Sequence, residues 1–243
     1  MKVLVLGASG ATGRLVLIQL IKRQINTRIV IRRNSVLPKE IEENPLLEIV
    51  RGNINQMTDS EMSDLLRDCN AVISCLGHNI TFKGMFGNPR YLVFDAIRSI
   101  SETIRETGDN KIKLILMSTT AYTNTLQGEK DSIGEKIILS LLKLLLPPHR
   151  DNIKAADYLI KEIGNDDEKI EWIAVRPDTL INSENESSYH INESPERSPI
   201  FNAGITSRIN VSHFITELLL NKTLWQKWQC KTPVIYNNSE HIK

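Results

Sequence analysis

The chain has 243 residues, of which 41% are hydrophobic and 24% are charged, and its formal net charge at pH 7 is +1. This length can bury the core of a single α/β domain over residues 1–243. The near-zero net charge excludes the basic excess that marks a nucleic-acid-binding domain. The three cysteines, Cys69, Cys75 and Cys230, are scattered, which indicates reduced thiols rather than disulfides or a zinc site, so we predict no metal.

No segment has the pattern of a membrane span or a signal peptide. The longest apolar stretch, residues 137–146, contains Ser140 and Lys143, and it has roughly half of the ~20 residues that a spanning helix needs. Met1 and Lys2 precede only a few apolar residues before the first glycine, which does not fit a signal peptide. We therefore expect a soluble, cytoplasmic protein.

Strands and helices alternate along the chain, which is typical of a Rossmann-type, doubly wound parallel sheet with helices on both faces. Strands are predicted at residues 3–6, 27–31, 46–50, 71–76, 113–117, 172–175 and 234–236. Helices are predicted at residues 15–25, 58–66, 91–106, 133–146, 152–163 and 211–220. The polar segment 182–198 indicates that residues 178–210 form a small C-terminal region, a loop or hairpin that covers the active site.

The first strand runs into a glycine-rich turn, Gly7-Ala-Ser-Gly10-Ala-Thr-Gly13, which opens the first helix. In such a turn the first glycine lets the chain leave the strand sharply, the second lets a pyrophosphate approach the backbone, and the third lets the helix pack closely. Backbone N–H groups at the helix start stabilise the phosphate charge. We therefore predict a dinucleotide site formed by Gly7, Ser9, Gly10, Ala11, Thr12, Gly13 and Arg14. The alternative is a glycine-rich turn without a ligand.

The end of the second strand carries Arg32 and Arg33. NAD-binding proteins place an acidic residue there, which accepts hydrogen bonds from the ribose 2′-hydroxyl. Guanidinium groups bind a 2′-phosphate bidentately, whereas a carboxylate repels it. We therefore predict NADP(H) as the cofactor. Solvated surface charge is the alternative role for these two arginines.

Five motifs together resemble one protein family. They are the glycine turn, Arg51-Gly-Asn53 after the third strand, Cys75-Leu-Gly77 after the fourth, Ser118-Thr-Thr120 after the fifth and Arg176-Pro177 after the sixth. From its start to about residue 236, the chain resembles the atypical short-chain dehydrogenase/reductase superfamily, in its NAD(P)H-binding branch. That branch includes NmrA-like redox sensors and the biliverdin-IXβ and flavin reductases. The resemblance specifies no substrate.

The same resemblance implies further contacts to the cofactor. Asn53 and Ile54 would flank the adenine, the middle of the cofactor would be lined by Cys75, Leu76 and Gly77, and the nicotinamide ribose would face Ser118 and Thr119. Family members usually carry Asp where Asn53 stands, so this chain departs from the family pattern there.

The proton-donating pair of most short-chain enzymes is absent. Those enzymes use Tyr-x-x-x-Lys, in which the lysine lowers the pKa of the tyrosine. None of the five tyrosines has a lysine four residues later; Tyr122, for example, is followed by Leu126. Counting back from Asp157, which matches a common acidic position of the family, places His149 where the tyrosine belongs and Ile153 where the lysine belongs.

The predicted catalytic residues are His149, Ser118, Thr120 and Lys154. A histidine at that place resembles the flavin and biliverdin reductases, in which hydride transfer needs little help from a dedicated acid. His149 could donate a proton near neutral pH, Lys154 could reach a ribose hydroxyl, and Ser118 or Thr120 could orient a substrate carbonyl. Alternatively, His149 is a helix-start residue without a role and the hydroxyls are plain caps.

Two segments contain so many apolar residues that we expect another surface to cover them. Residues 78–87 contain two phenylalanines, a methionine and two glycines, which suits a mobile lid over a flat substrate or a satellite hydrophobic cluster. The helix at residues 137–146 must cover the lid, a second subunit in a homodimer, or a membrane surface. Core or interface packing is the prediction for this helix.

Three functions fit these features. The first is an NADPH-dependent reductase of a small planar or carbonyl-bearing acceptor such as a flavin or quinone, in which the protein supplies orientation and electrostatics. The second is a non-catalytic NADP(H) redox sensor that acts through a protein partner, which the missing Tyr–Lys pair favours. The third is an isomerase or epimerase that retains its cofactor.

Overall fold

The architecture is a mostly parallel sheet between two layers of helices, seen in a computed structural model that describes residues 1–78, 90–107 and 110–238. The strands are β1 (Lys2–Leu6), β2 (Asn26–Ile31), β3 (Leu47–Arg51), β4 (Ala71–Ser74), β5 (Ile112–Met117), β6 (Ile170–Pro177), β7 (Thr179–Ile181), β8 (Tyr189–Asn192), β9 (Ile205–Ser207) and β10 (Val234–Asn237). The helices are α1 (Ala11–Lys22), α2 (Lys39–Glu42), α3 (Asp59–Leu66), α4 (Leu92–Thr107), α5 (Ile133–Leu145), α6 (Pro147–Tyr158), α7 (Arg208–Leu220) and α8 (Lys222–Trp228).

The strand order of the main sheet is β3-β2-β1-β4-β5-β6-β10-β8. All neighbours in it are parallel except β8, which pairs with β10 in the antiparallel direction. The chain winds from β1 toward β3 in one direction and from β4 toward β10 in the other. The order therefore reverses between β1 and β4, and ligands of such sheets bind outside the carboxyl ends of the strands at this point.

Successive residues of β1 face opposite helix layers, as in a strand buried on both sides. Val3 and Val5 pack in the cluster that includes residues of α1, α7 and α8. Leu4 and Leu6 pack in the cluster that includes residues of α3, α4 and α6. The predicted doubly wound fold with helices on both faces is confirmed.

The helix boundaries differ from the predicted ones near two prolines. The predicted helices end at residue 146 and begin again at residue 152, on either side of Pro147 and Pro148. In the structure Pro147 is the first residue of α6. The first turn of a helix tolerates proline because its N–H groups have no intrahelical acceptor, so the prolines start α6 instead of interrupting it. Thr58 and Glu61 form a capping box at the start of α3.

The region of residues 178–210 is neither a loop nor a hairpin. It holds three short strands: β8 extends the main sheet, whereas β7 and β9 pair with each other in parallel. Asp178 ties this region together, because its carboxylate accepts hydrogen bonds from the backbone N–H groups of Thr179 and Gly204, at 2.7 Å and 2.9 Å. These strands have only three or four residues each, which is too short for an alternation of polar and apolar residues to reveal them.

The structure does not pack the apolar helix α5 into the core, so of the predicted core or interface packing only the interface stays a prediction. Among the residues of α5, only Leu139 is buried. The other large apolar side chains of the helix are partly or largely exposed.

Candidate cofactor and acceptor site

The glycine turn between β1 and α1 has no room for side chains at two positions. Gly7 has a φ of +75°, and a Cβ there would lie 2.5 Å from the carbonyl oxygen of Cys75. A Cβ on Gly13 would lie 2.2 Å from the carbonyl oxygen of Gly7. The structural roles expected of these two glycines, a sharp turn and close helix packing, are confirmed. Gly10 is exposed, and its contact with a pyrophosphate remains a prediction.

The N-terminus of α1 presents backbone donors without a side-chain cap. Gly10 is the N-cap, it makes no side-chain hydrogen bond, and the first turn contains no acidic residue. The first N–H groups of a helix have no acceptor inside the helix, and the helix dipole places partial positive charge at this end. This end of α1 therefore fits an anionic group such as a diphosphate.

Arg14 adds a positive charge beside the turn. One of its Nη atoms donates to the carbonyl oxygen of Ser9 at 3.2 Å. Its Nε is buried and has no hydrogen-bond partner among the described residues. A buried donor without a partner costs about 1–3 kcal/mol, a cost that a bound acceptor would remove. The residues at the turn thus fit a dinucleotide.

The end of β2 and the turn after β3 share one cleft of about 730 Å³, whose lining includes Arg32, Arg33, Arg51, Gly52 and Asn53. Arg32 and Arg33 are exposed. Arg51 is held in place, because it donates to the carbonyl oxygen of Ser35 at 3.1 Å and forms an ion pair with Glu42. The structure therefore brings the two predicted arginines and Asn53 together in one cleft.

Asn53 and Ile54, which were expected to flank an adenine, are partly committed to the protein. Asn53 Oδ1 accepts a hydrogen bond from the N–H of Asn55 at 3.3 Å and caps the short turn Ile54–Gln56. The side chain of Ile54 is 5% exposed and packs in the core. Only the backbone of Ile54, and not its side chain, is positioned to border a ring.

The segment after β4 lies directly against the glycine turn. The carbonyl group of Cys75 is in contact with Gly7, and a Cβ placed on Gly77 would have no described heavy atom within 4 Å. Burial raises the pKa of the Cys75 thiol to about 12, so this cysteine is an unreactive thiol at neutral pH. Leu76 is partly exposed. These three residues adjoin the helix-start amides, as their predicted contact to the middle of a cofactor requires.

The hydroxyl cluster at the end of β5 contains one unpaired group. Ser118 is 7% exposed, and its Oγ has no hydrogen-bond partner among the described residues. Thr119 Oγ1 accepts a hydrogen bond from the N–H of Ala121 at 3.2 Å. Thr120 is buried, and its backbone N–H donates to the carbonyl oxygen of Pro177 at 3.3 Å. Thr119 therefore caps a local turn, whereas the contact of the buried Ser118 hydroxyl with a ligand stays a prediction.

Helix α6 is tied to the loops that follow β4 and β5. Asp151 Oδ2 lies 2.8 Å from His78 Nε2, after β4. At the other end of the helix, the Tyr122 hydroxyl, after β5, donates to Asp157 Oδ1 at 3.2 Å. Helix α6 thus spans the carboxyl edge of the sheet at the strands beside the glycine turn, where the resemblance to short-chain enzymes places a catalytic helix.

His149 lies in the first turn of α6 and is half-buried. Its Nε2 is buried and has no hydrogen-bond partner among the described residues. Burial, and secondly the positive charge of Lys143, lower the pKa of His149 from its ordinary 6.5. The imidazole is therefore neutral at pH 7, so the expectation that it is an acid poised near neutral pH is not supported.

The ammonium group of Lys154 is held by two aromatic rings. Its Nζ lies 4.5 Å from the ring centroid of Tyr91 and 4.0 Å from that of Phe94. Cation–π attraction holds the ammonium group against these rings at the start of α4. A contact to a ribose hydroxyl would require Lys154 to leave both rings, and its catalytic assignment remains a prediction.

Asp151 is a buried residue of the site that the sequence analysis missed. It is fully buried, and its carboxylate accepts hydrogen bonds from the N–H groups of Val93 and Phe94 at 2.8 Å and 2.9 Å. The same carboxylate orients the imidazole of His78. Asp151 therefore caps α4 and fixes α6 to the segment after β4. No local pattern reveals a helix cap that is 58 residues away in the chain.

The predicted lid, residues 78–87, lies mostly outside the described residues. His78 is the one residue of this segment that the structure describes.

Arg176 holds several loops at the carboxyl end of β6. It is completely buried, and it forms a bidentate ion pair with Glu129, with N···O distances of 2.8 Å and 2.6 Å. It also donates to the carbonyl oxygens of Tyr122, Glu193 and Thr232. In the sequence, this arginine is recognisable only as part of the Arg176-Pro177 motif.

A second cleft lies beside the hydroxyl cluster. Its volume is about 410 Å³, and it lies between Thr120 with the following loop and the segment 194–199. Pockets of about 300–1,000 Å³ are usual for small molecules. This cleft adjoins the end of β5 and is the candidate acceptor site.

Three further observations concern metal ligands, membrane-spanning helices and cysteines. Among residues 1–78, 90–107 and 110–238, no group of three His, Cys, Asp or Glu side chains is arranged to hold a metal ion. No helix in the same part of the chain is long and apolar enough to cross a membrane. Cys69, Cys75 and Cys230 are free thiols.

A family model described as NAD(P)H-binding matches residues 7–222, from the glycine turn to the start of α8. The chain belongs to the NAD(P)H-binding family. No curated protein sequence matches it.

Solved structures share the fold at low sequence identity. A short-chain dehydrogenase/reductase from Veillonella parvula in complex with NADP is 14% identical, with a TM-score of 0.67 and coverage of 99% of this chain and 96% of that chain. The anaerobilin reductase from Escherichia coli is 16% identical, with a TM-score of 0.69 over 100% of both chains. A Streptococcus pneumoniae protein named for NADH–flavin reductase activity is 16% identical, with a TM-score of 0.68 over 98% of this chain and 100% of that chain. The predicted resemblance is confirmed at the level of the fold and of the NAD(P)H-binding family.

Proposed function

We propose that this NAD(P)H-binding protein is an NADPH-dependent reductase of a small planar or carbonyl-bearing acceptor, with flavins and quinones as the favoured classes. One observation carries the proposal. The buried, unpaired hydroxyl of Ser118 ends β5, on the same edge of the sheet as the glycine turn after β1. That edge also holds the 410 Å³ cleft.

A bound reduced nicotinamide would supply a hydride to the acceptor. The residues of the chain bind and orient the two molecules. The first N–H groups of α1 hold the diphosphate, and Arg14 Nε gains an acceptor that it lacks within the protein. Such fixed positioning is worth several powers of ten in rate without any dedicated acid.

The preference for NADPH over NADH rests on Arg32 and Arg33. Both side chains are exposed at the cleft beyond β2, and a 2′-phosphate can accept bidentate hydrogen bonds from guanidinium groups. A ribose 2′-hydroxyl would offer them no negative charge.

The acceptor is oriented by hydroxyl groups at the end of β5, beside a cleft whose lining also includes Glu129, Lys130 and Arg197. The hydroxyl of Ser118 donates a hydrogen bond to a carbonyl or ring oxygen of the acceptor. His149 is neutral at pH 7 because its pKa is lowered, and it is not among the described residues that line the cleft, so it is not the proton source. The proton then comes from solvent. The segment 194–199 closes the cleft on its other side, and residues 178–210 shape the acceptor site.

The test is NADPH oxidation with a panel of flavins, quinones and aldehydes, followed by absorbance of the reduced cofactor. Turnover with at least one acceptor is expected. Ser118→Ala should lower kcat by about tenfold or more, since one catalytic hydrogen bond is lost. Ser101→Ala is the matched control, because Ser101 also has a buried, unpaired hydroxyl, but within α4. Equal losses in both variants would contradict the assigned role.

A non-catalytic NADP(H) sensor is the second candidate. The absence of a Tyr-x-x-x-Lys pair and the lowered pKa of His149 favour it. Tight binding of both NADP⁺ and NADPH, together with no turnover on any acceptor, would replace the reductase by this sensor.

A further inference from the structure

Helix α5 presents an apolar face to the outside of the molecule. Its five exposed large apolar side chains are each 50% to 80% exposed: Ile133, Ile137, Leu141, Leu144 and Leu145. Phe201, which is 63% exposed, packs against Gly134 at the start of the helix and extends this surface. We call these six residues the α5 face. A contiguous apolar surface of this kind marks an interaction site more often than chance exposure.

Two lysines of α5 lie along one side of its apolar stripe. At about 100° per residue, Lys136 and Lys143 fall on one border of the face, and both are exposed. Leu141 and Leu145 form the other border. The single acidic residue of α5, Glu135, lies on the side of the helix opposite Ile137, and its carboxylate accepts a hydrogen bond from the backbone N–H of Ser132 at 2.7 Å. The apolar face of the helix is therefore bordered on one side by two positive charges.

This charge pattern does not fit a second copy of the chain. A two-fold axis that pairs α5 with an antiparallel copy brings the same border of both helices together, so Lys136 and Lys143 would meet their own equivalents. A parallel pairing would instead press the lysines against Leu141 and Leu145 of the other copy. Like charges repel in the first case, and ammonium groups lose hydration without compensation in the second.

The same pattern fits an anionic bilayer surface. The aliphatic side chains can enter the boundary between headgroups and acyl chains, and the two lysines can extend along it to lipid phosphates. Each lysine near an anionic membrane contributes about a fivefold gain in binding.

We propose that the α5 face binds the surface of anionic phospholipid membranes, with the helix axis parallel to the membrane plane. This binding does not depend on the proposed reductase activity. Because Glu135 of α5 lines the acceptor cleft, the bound protein would hold this cleft close to the bilayer.

The test is sedimentation of the full-length protein with vesicles, made either of phosphatidylcholine alone or of phosphatidylcholine with phosphatidylglycerol. Binding to the anionic vesicles, weakened by added salt, is expected. The double variant Ile137→Ser/Leu144→Ser should abolish it. Lys136→Ala/Lys143→Ala should weaken it about 25-fold, from about fivefold per lysine. Val36→Ser/Leu220→Ser, which alters exposed apolar residues elsewhere, should bind as the unchanged chain does.

Three results would overturn this proposal. The unchanged protein could stay in the supernatant with both kinds of vesicle, or the serine variant could sediment as the unchanged protein does. Light scattering could also show an oligomer that the serine variant dissociates, which would assign the face to a second copy. If the serine variant unfolds, as far-ultraviolet circular dichroism would show, the lysine variant decides, and undiminished binding of it to anionic vesicles contradicts the proposal.

Discussion

At the scale of single residues, the site depends on two glycines, which have no side chain, and on a buried ion pair. Gly7 and Gly13 let the backbone of β1, α1 and the segment after β4 approach more closely than any Cβ permits. Arg176 holds the loops around the acceptor cleft through a fully buried guanidinium group, compensated by the carboxylate of Glu129. Even a small substitution at any of these residues should lower the free energy of unfolding.

Gly13→Ala should destabilise the fold, because its Cβ would lie 2.2 Å from the carbonyl oxygen of Gly7. The expected loss of unfolding free energy is about 2 kcal/mol or more, measured by urea denaturation. Gly77→Ala is the control, since it has open space among the described atoms and should change stability by less than about 0.5 kcal/mol. Equal stability of the two variants would contradict the close packing of α1 on the turn.

Glu129→Gln should leave Arg176 as a buried charge without its counter-ion. The expected loss of unfolding free energy is about 3–5 kcal/mol. Lys39→Ala, which removes an ion pair between largely exposed Lys39 and Glu43, should cost less than about 1 kcal/mol in the same denaturation experiment. A loss from Glu129→Gln as small as that of the control would show that the buried pair is not maintained in solution.

His149 should make the protein less stable in mild acid. Its pKa is lowered in the folded state from 6.5, so the unfolded chain binds the proton more readily. The stabilisation is complete above about pH 6.5 and is lost as the pH falls through that value toward the folded pKa. His149→Gln should therefore lose less stability between about pH 7.5 and about pH 5.5 than the unchanged chain. Parallel declines of both proteins would contradict the burial of the imidazole.

At the scale of elements, the sequence predicts those strands and helices that a local pattern of residues marks. The strands of the main sheet other than β8 are mostly apolar runs, and the capping box of Thr58 and Glu61 marks the start of α3. Strands β7 to β9 lack such runs, because they have only three or four residues and mix polar with apolar side chains. Prolines are ambiguous signals, since Pro147 ends one helix and starts the next.

Asp151→Ala should loosen the start of α4, because two backbone N–H groups lose their acceptor. The expected cost is about 2–4 kcal/mol. Hydrogen exchange should show faster exchange at Val93 and Phe94. Asp95→Ala, in the same turn but with only a 3.9 Å contact to Arg98, should cost less than about 1 kcal/mol. Unchanged exchange in the Asp151 variant would rule out this cap.

At the scale of the whole molecule, the fold places the predicted site residues at one edge of the sheet. The sequence predicts the glycine turn, the two arginines and the hydroxyl cluster, because each directly follows a recognisable strand. It misses Asp151 and the ion pair of Glu129 with Arg176, because these contacts join segments 47 or more residues apart. The sequence also predicts that α5 packs in the core or in an interface, because apolar content alone does not distinguish a buried helix from one that faces outward.

The central claim is that the start of α1 holds a dinucleotide diphosphate and that Arg32 and Arg33 select the phosphorylated ribose. Calorimetric titration with NADPH and with NADH tests it most directly. NADPH should bind more tightly, and Arg32→Ala/Arg33→Ala should weaken NADPH by about 10- to 100-fold while changing NADH little. Absence of binding to either nucleotide, or equal weakening of both, would contradict the claim.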